Sequence, residues 1–367
     1  MKKMFSIPLY VMIIFSLLGC SMDVSQPATA TPYSEVASPA TSTNDPTSAS
    51  NLPWAGMHLS GHLVYNAVSQ NGDERTISMQ VLDLTNGETR TIFTTTSYVW
   101  IYYATVSPDG RQVVMSYVPP PKPDSESETT LYVMPLDGSA QPRPLLIPPT
   151  IYDQYLQVEW SPDGNYLYFV QYNYHDQPTD QVFPNYEIFR MAYPDGQPEK
   201  VMENAFWPRI SPDSSKIVYV SMDPATGMNE LFLANIDGSN PKKIVLSGSS
   251  VPKIIDAPIF SPDGKSILFS APALAQSYLP SWFDKLMGVQ IVKAHYVPSD
   301  WWSVPVTGGT PTQLTHIQSA GLFGSISPDQ KHVVSLSENG LFVMDLDGSN
   351  LTLLIPDPAG STINWIP

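Results

Sequence analysis

The sequence predicts an all-β fold of six four-stranded antiparallel sheets arranged in a ring, and three observations carry that prediction. A Ser-Pro-Asp tripeptide recurs five times, at Ser107, Ser161, Ser211, Ser261 and Ser327, and self-similarity at a regular spacing is the mark of a repeat architecture. Each copy is followed by an apolar, β-rich run, and then by a second such run that closes on a glycine turn. The two ends are complementary, because the first unit lacks one strand and the last residues supply one. Repeated four-stranded units of this kind are the blades of a β-propeller. Composition agrees: 37 Pro, 19 Tyr and 8 Trp with only 14% charged residues favour strands and turns over solvated helices.

In chain order, the first element is an address. Lys2 and Lys3 precede the apolar run Phe5 to Leu18, which Pro8 interrupts and which is short for a permanent membrane span. Residues 1–19 therefore read as a signal peptide. Its end, Leu17-Leu18-Gly19-Cys20, resembles the bacterial lipobox. That resemblance implies lipidation of Cys20, and two or more acyl chains give stable membrane attachment. Cys20 is the sole cysteine, so intramolecular disulfides and Cys-rich metal sites are excluded. Residues 20–52 are dominated by Ser, Thr, Ala and Pro without apolar periodicity, and read as a tether. Its reach is on the order of 30 Å.

Residues 53–367 form the repeats. The Ser-Pro-Asp turns have a mechanism: Pro presets φ, Asp bonds nearby backbone N–H groups, and Gly supplies positive φ at the exit. The second strands follow at Val113 to Met115, Tyr166 to Phe169, Ile217 to Val220, Ile267 to Phe269 and Val333 to Leu336. Third strands are expected at Leu131 to Met134, Ile188 to Met191, Leu231 to Leu233, Trp301 to Val304 and Leu341 to Met344, each before a turn containing Gly. Pro144 to Leu146, Lys243 to Val245 and Gln313-Leu314 supply fourth strands. Residues 62–93 fit the last three strands of a blade with no Ser-Pro-Asp copy before them. Thr362 to Pro367 aligns with Gln157 to Pro162, so the C-terminal strand is expected to pair with the first blade and seal the ring. Closure removes the sheet edges that template aggregation.

With the Ser-Pro-Asp-Gly turn placed after an aromatic such as Trp160 or Phe260, the sequence resembles the TolB-like six-bladed propellers, whose WD-like repeat carries this turn. The resemblance covers about residues 54–367. It implies the fold, and a range of roles: bacterial envelope scaffolds, propeller halves of peptidases, and polysaccharide lyases. Members with an additional N-terminal α/β domain need more chain than lies between Cys20 and the first blade.

Charge narrows the partners. Lys and Arg total 18 against 34 Asp and Glu, a net −16, so no cationic field is available for nucleic acid. Without Lys2 and Lys3 the chain carries −18, and the lipid rather than charge would hold it to the membrane. Both short turns of each blade fall at one end of the sheet, so the longer excursions share the opposite, loop face. Long loops in compact domains are more often functional. Tyr102, Tyr103, Tyr152, Tyr155, Trp207, Asp256, Trp282 and Phe283 are the expected partner-binding residues there, an aromatic, acid-containing rim suited to an envelope protein, a peptide or a polysaccharide.

Enzymatic signatures are sparse. There is no Gly-x-Ser-x-Gly elbow and no His-Glu-x-x-His. His58 and His62 are four apart beside Gly61 in a strand context, and Asp345-x-Asp347-Gly348 reads as a turn. No catalytic residue, metal or cofactor is expected. The expectation is a monomeric, lipid-anchored binding or scaffold module on the extracytoplasmic face. The alternative is a carbohydrate-active enzyme, a lyase or hydrolase, using the central funnel with His175, Asp176, Asp180, Asp256 and His316.

Overall fold

The computed structural model describes residues 52–71, 74–96, 99–120, 129–150, 152–173, 185–223, 228–248, 251–252, 254–272, 297–356 and 360–367. The signal peptide and residues 20–51, with Cys20 and all of the tether but Leu52, lie outside the described residues, as do Trp282, Phe283, His175, Asp176 and Asp180.

Six four-stranded antiparallel sheets form the blades. After a 3₁₀ turn at Ala55–Met57, the first blade takes β1 (His62–Asn71), β2 (Glu74–Asp83) and β3 (Thr89–Thr94). The second runs through β4 (Trp100–Val106), β5 (Gln112–Val118), β6 (Thr130–Pro135) and β7 (Arg143–Leu146). The third holds β8 (Asp153–Trp160), β9 (Tyr166–Asn173), β10 (Asn185–Ala192) and β11 (Glu199–Glu203). The fourth holds β12 (Phe206–Ile210), β13 (Lys216–Met222), β14 (Asn229–Asn235) and β15 (Lys242–Lys243). The fifth holds β16 (Asp256–Phe260), β17 (Ser266–Ala271), β18 (Asp300–Pro305) and β19 (Thr312–Gln313). The sixth holds β20 (Phe323–Ile326), β21 (His332–Ser337), β22 (Gly340–Asp345) and β23 (Thr352–Ile355). Finally β24 (Ile363–Ile366) returns to the first blade, with Leu63 opposite Trp365 and Tyr65 opposite Ile363. The expected fourth strands at Lys243 to Val245 and Gln313-Leu314 are each displaced by one residue toward the N-terminus, and the first is one residue shorter. The outer strands of the third and sixth blades, β11 and β23, were not among the expected elements; β11 is mostly exposed, with Met202 buried, and β23 buries Leu354.

The closing strand is stitched to both neighbours. The Asn364 Nδ2 donates to the Ala104 carbonyl (3.1 Å), and its Oδ1 accepts from the Val106 N–H (3.2 Å), across to the second blade. The Trp365 N–H donates to Ser325 Oγ (3.1 Å) in the sixth. Its indole N–H reaches the Ser60 carbonyl at 2.9 Å.

Neighbouring blades bury apolar side chains against each other. Successive residues of a strand face opposite sides of the sheet. In β5, Val113 and Met115 accordingly pack with Val64, Met79 and Val81 of the first blade. Val114 packs the other way, with Leu167 and Phe169 of the third. A second strand covered on both faces needs apolar residues at consecutive positions, so these strands read as unbroken runs rather than alternating ones. Packing is close: Trp301 is fully buried and donates its indole N–H to Ser335 Oγ (2.8 Å), while a Cβ on Gly324 would sit 2.8 Å from its ring.

All five Ser-Pro-Asp turns share one hydrogen-bonded form. In the third blade Ser161 Oγ donates to Asp163 Oδ1 (2.6 Å) and accepts from the Tyr166 N–H (2.9 Å), while Asp163 accepts from the Asn165 N–H (3.0 Å). The serine hydroxyl thus ties the turn across its base. Position four is left-handed throughout, with φ of 72° at Gly164 and also 58° at Ser214 and 63° at Gln330, where the glycine is missing.

Candidate binding site in the central channel

The inner strands β4, β8, β12, β16, β20 and β24 line the axis of the ring. Counting back from the turn serine, the residues four and two positions earlier form two layers. In the upper layer the second, fourth and sixth blades contribute Tyr103, Trp207 and Phe323. Their rings meet pairwise, at centroid distances of 5.2 Å for Tyr103–Trp207, 5.6 Å for Trp207–Phe323 and 6.0 Å for Tyr103–Phe323. Three aromatic rings from alternate blades in mutual contact leave no passage between them. Edge-to-face packing of this kind adds to the burial of apolar area.

Local backbone irregularity aims these side chains. β8, β12 and β16 each carry a register shift, at Leu156/Glu159, Phe206/Arg209 and Asp256/Ile259. Gln157, Trp207 and Ala257 stand there at φ of 51°, 55° and 42°. A bulge re-aims the side chains that follow it. Left-handed backbone at non-glycine residues costs on the order of 1–3 kcal/mol each and concentrates at functional positions. The bulges are tied together, since Gln157 Oε1 accepts from the Trp207 N–H at 2.6 Å.

Between the aromatic layer and the turns lies a cavity of about 450 Å³. Pro108, Pro162 and Pro212, from three Ser-Pro-Asp turns, line its outer end. The lower layer, Thr105, Glu159, Arg209, Ile259, Ser325 and Asn364, lines its middle. Arg209 Nη1 donates to Glu159 Oε2, joining the fourth blade to the third. Both side chains keep about a fifth of their surface open, 22% for Arg209 and 23% for Glu159. Burial holds the Glu159 carboxyl above the usual Glu range, outweighing the lowering effect of the Arg209 charge.

No family model matches the sequence, and no curated protein matches it. Solved structures do resemble it. TolB from Acinetobacter baumannii aligns over 84% of this chain and 67% of its own, with 16% identity and a TM-score of 0.56. A putative TolB from Agrobacterium tumefaciens aligns over 81% of this chain and 100% of its own, with 18% identity and a TM-score of 0.57. This chain has the TolB-like propeller fold. The same architecture recurs in a nidogen/laminin complex, with 11% identity, 83% and 97% coverage and a TM-score of 0.53.

Within this TolB-like propeller the sequence-derived site residues separate. Tyr102 is exposed (39%) at the loop-face half of β4, and its carbonyl accepts from Ser361 Oγ. Tyr152 is half-buried on the same side, its N–H donating to Thr150 Oγ1 (3.2 Å). Tyr103 and Trp207 belong to the channel closure rather than to an open rim. Asp256 is buried at the start of β16 and accepts from the Ala257 N–H (3.1 Å). Tyr155 corrects the rim expectation. It points between blades, edge-on to Phe169 at 4.8 Å, and burial pushes its hydroxyl up to about 12.

His62 Nδ1 lies 3.2 Å from the Pro367 carbonyl and His316 Nδ1 lies 3.0 Å from Gln313 Nε2. Among the described residues no three His, Cys, Asp or Glu side chains are grouped to hold a metal ion. No helix among them is long and apolar enough to cross a membrane. Sequence reasoning passed over Glu159, Arg209 and Phe323. Aligning the repeats on their turn serines would have placed all three on the channel wall, at positions two, two and four residues before that serine.

Proposed function

We propose that this chain is a lipid-anchored, extracytoplasmic binding module that captures an envelope protein, peptide or polysaccharide on its loop face. The observation that carries the reading is the doubly sealed ring. β24 closes the sheet edge and the Tyr103–Trp207–Phe323 contact closes the axis. All second-to-third-strand excursions leave from one face of that frame, so they are presented on rigid supports and a partner is held with little ordering cost. Tyr102 is the described aromatic most open on that face. The signal peptide and Cys20 supply the anchor, and the Ser/Thr/Pro segment lets the ring stand off the bilayer.

Cross-linking in native membranes followed by partner identification tests the capture. Tyr102→Ser combined with Trp282→Ala and Phe283→Ala is expected to reduce the cross-linked product while thermal stability stays unchanged. Undiminished capture would move the surface elsewhere. Chelator-sensitive cleavage of a polysaccharide by the purified chain would replace the reading with an enzymatic one. Cys20→Ser is expected to move the protein from the membrane fraction to the soluble fraction, and retention in the membrane would remove the lipid anchor.

A further inference from the structure

The cavity on the turn side of the aromatic closure takes no part in loop-face capture, and its chemistry is specific. We infer that it binds a small zwitterion with an apolar side chain, the chemistry of a free aliphatic or aromatic α-amino acid. The site opens on the opposite face from the proposed capture surface, so either reading can fail without the other.

Size comes first. About 450 Å³ is within the range of small-molecule pockets and far below what a folded partner needs. The inner end is apolar, because Tyr103, Trp207 and Phe323 block the channel there. A ligand entering from the turns meets the polar layer first and the aromatic layer last. Its apolar portion therefore belongs deep in the cavity and its polar head at the level of Arg209 and Glu159.

The ion pair defines that head. Arg209 has five N–H donors, of which one, on Nη1, is used by Glu159 Oε2. Among the described residues the other donors and Glu159 Oε1 have no protein partner. Both side chains stay partly open in a wall that also carries Thr105, Ser325 and Asn364. A group that accepts from guanidinium and donates to carboxylate at adjacent positions completes both, and an α-carboxylate beside an α-ammonium does so with charge-assisted bonds on each side.

Charge balance excludes the simpler ions. A lone carboxylate would meet Glu159, and the ionised Asp163 and Asp213 beside the mouth, whose own turn hydroxyls hold them below the usual Asp range. A lone amine would meet Arg209. A ligand carrying both charges is neutral overall and meets neither penalty. A neutral sugar can lay a C–H face on the aromatic floor but brings neither formal charge to the Arg209–Glu159 pair, so it forgoes the charge-assisted bonds on both sides.

The test is a titration of the purified full chain, followed by calorimetry and tryptophan fluorescence. The probes are leucine, isoleucine and phenylalanine, their N-acetyl and carboxamide derivatives, and glucose and acetate. The free amino acids are expected to bind with one-to-one stoichiometry. Blocking either charged end is expected to weaken binding about tenfold or more, the loss of a charge-assisted hydrogen-bond pair. Glu159→Gln with Arg209→Met removes both charges without stranding one, and is expected to weaken binding by a similar factor. Thr105→Leu fills the same layer while leaving the pair intact, and is expected to abolish binding even if the double variant folds poorly. Four results would each overturn the inference: no signal from any free amino acid at millimolar concentration, equal affinity for blocked and free forms, tighter binding of glucose or acetate, or undiminished binding in Thr105→Leu.

Discussion

Trp365→Ala probes the closure on which the ring depends. The side chain is 7% exposed, and its indole N–H bonds the Ser60 carbonyl at 2.9 Å. Truncating a buried Trp to Ala costs about 3–5 kcal/mol through lost burial and the cavity left behind. Losing the indole hydrogen bond to the Ser60 carbonyl adds about 1 kcal/mol. Backbone pairing with Leu63 and the bond to Ser325 use the main chain and survive, so the expected loss is about 4–6 kcal/mol. An unfolding entropy near 2.1 cal/mol/K per residue over roughly 300 residues converts each kcal/mol into about 1.5 °C. Differential scanning calorimetry should therefore record a Tm lower by about 6–9 °C. Light scattering should show earlier aggregation, because a loosened β24 uncovers the β1 edge. A shift below about 2 °C, with no change in aggregation, would mean that this indole does not hold the ring closed, and would refute the reasoning.

Three other outcomes follow from the same geometry. Ser161→Ala removes the hydroxyl that bonds Asp163 and the Tyr166 N–H; urea unfolding should lose about 1–3 kcal/mol with an unchanged m value. Gly348 has φ of 86° and its Cβ would lie 2.3 Å from the Leu314 carbonyl oxygen, so Gly348→Ala should cost about 2–4 kcal/mol through strain and overlap, read by the same method. The turn aspartates 109, 163, 213, 263 and 329 are held below 3.8, chiefly by the serine hydroxyl that each accepts from. A depressed carboxylate stabilises the fold above its unfolded pKa, and that contribution disappears as pH falls through the folded value. Thermal midpoints should therefore fall as pH drops below 3.8, and converting these aspartates to asparagine should flatten that dependence.

Strand order, blade number and ring closure were legible because their signals are local or repeated. A Ser-Pro-Asp turn is specified within about six residues, and the doubly buried second strands announce themselves as runs such as Ile217 to Val220. Even the long-range pairing of the C-terminal strand with the first blade could be read, since Thr362 to Pro367 copies a repeat found elsewhere in the chain, while the register that sets Trp365 opposite Leu63 came from the structure. Side-chain direction was less accessible. Tyr155 and Tyr152 are three residues apart and look alike in sequence. One packs on Phe169 between blades, and the other stays half-exposed. The channel residues show the limit most clearly. Tyr103, Trp207 and Phe323 are over a hundred residues apart pairwise, and no local pattern states that they touch. Only the angular placement of alternate blades about one axis, with a bulge turning Trp207 inward, brings their rings together. The same placement sets Arg209 against Glu159. Local chemistry chose the turns and strands, and the curvature of the closed ring decided which side chains share its centre, because contacts across an axis depend on how all six blades add up.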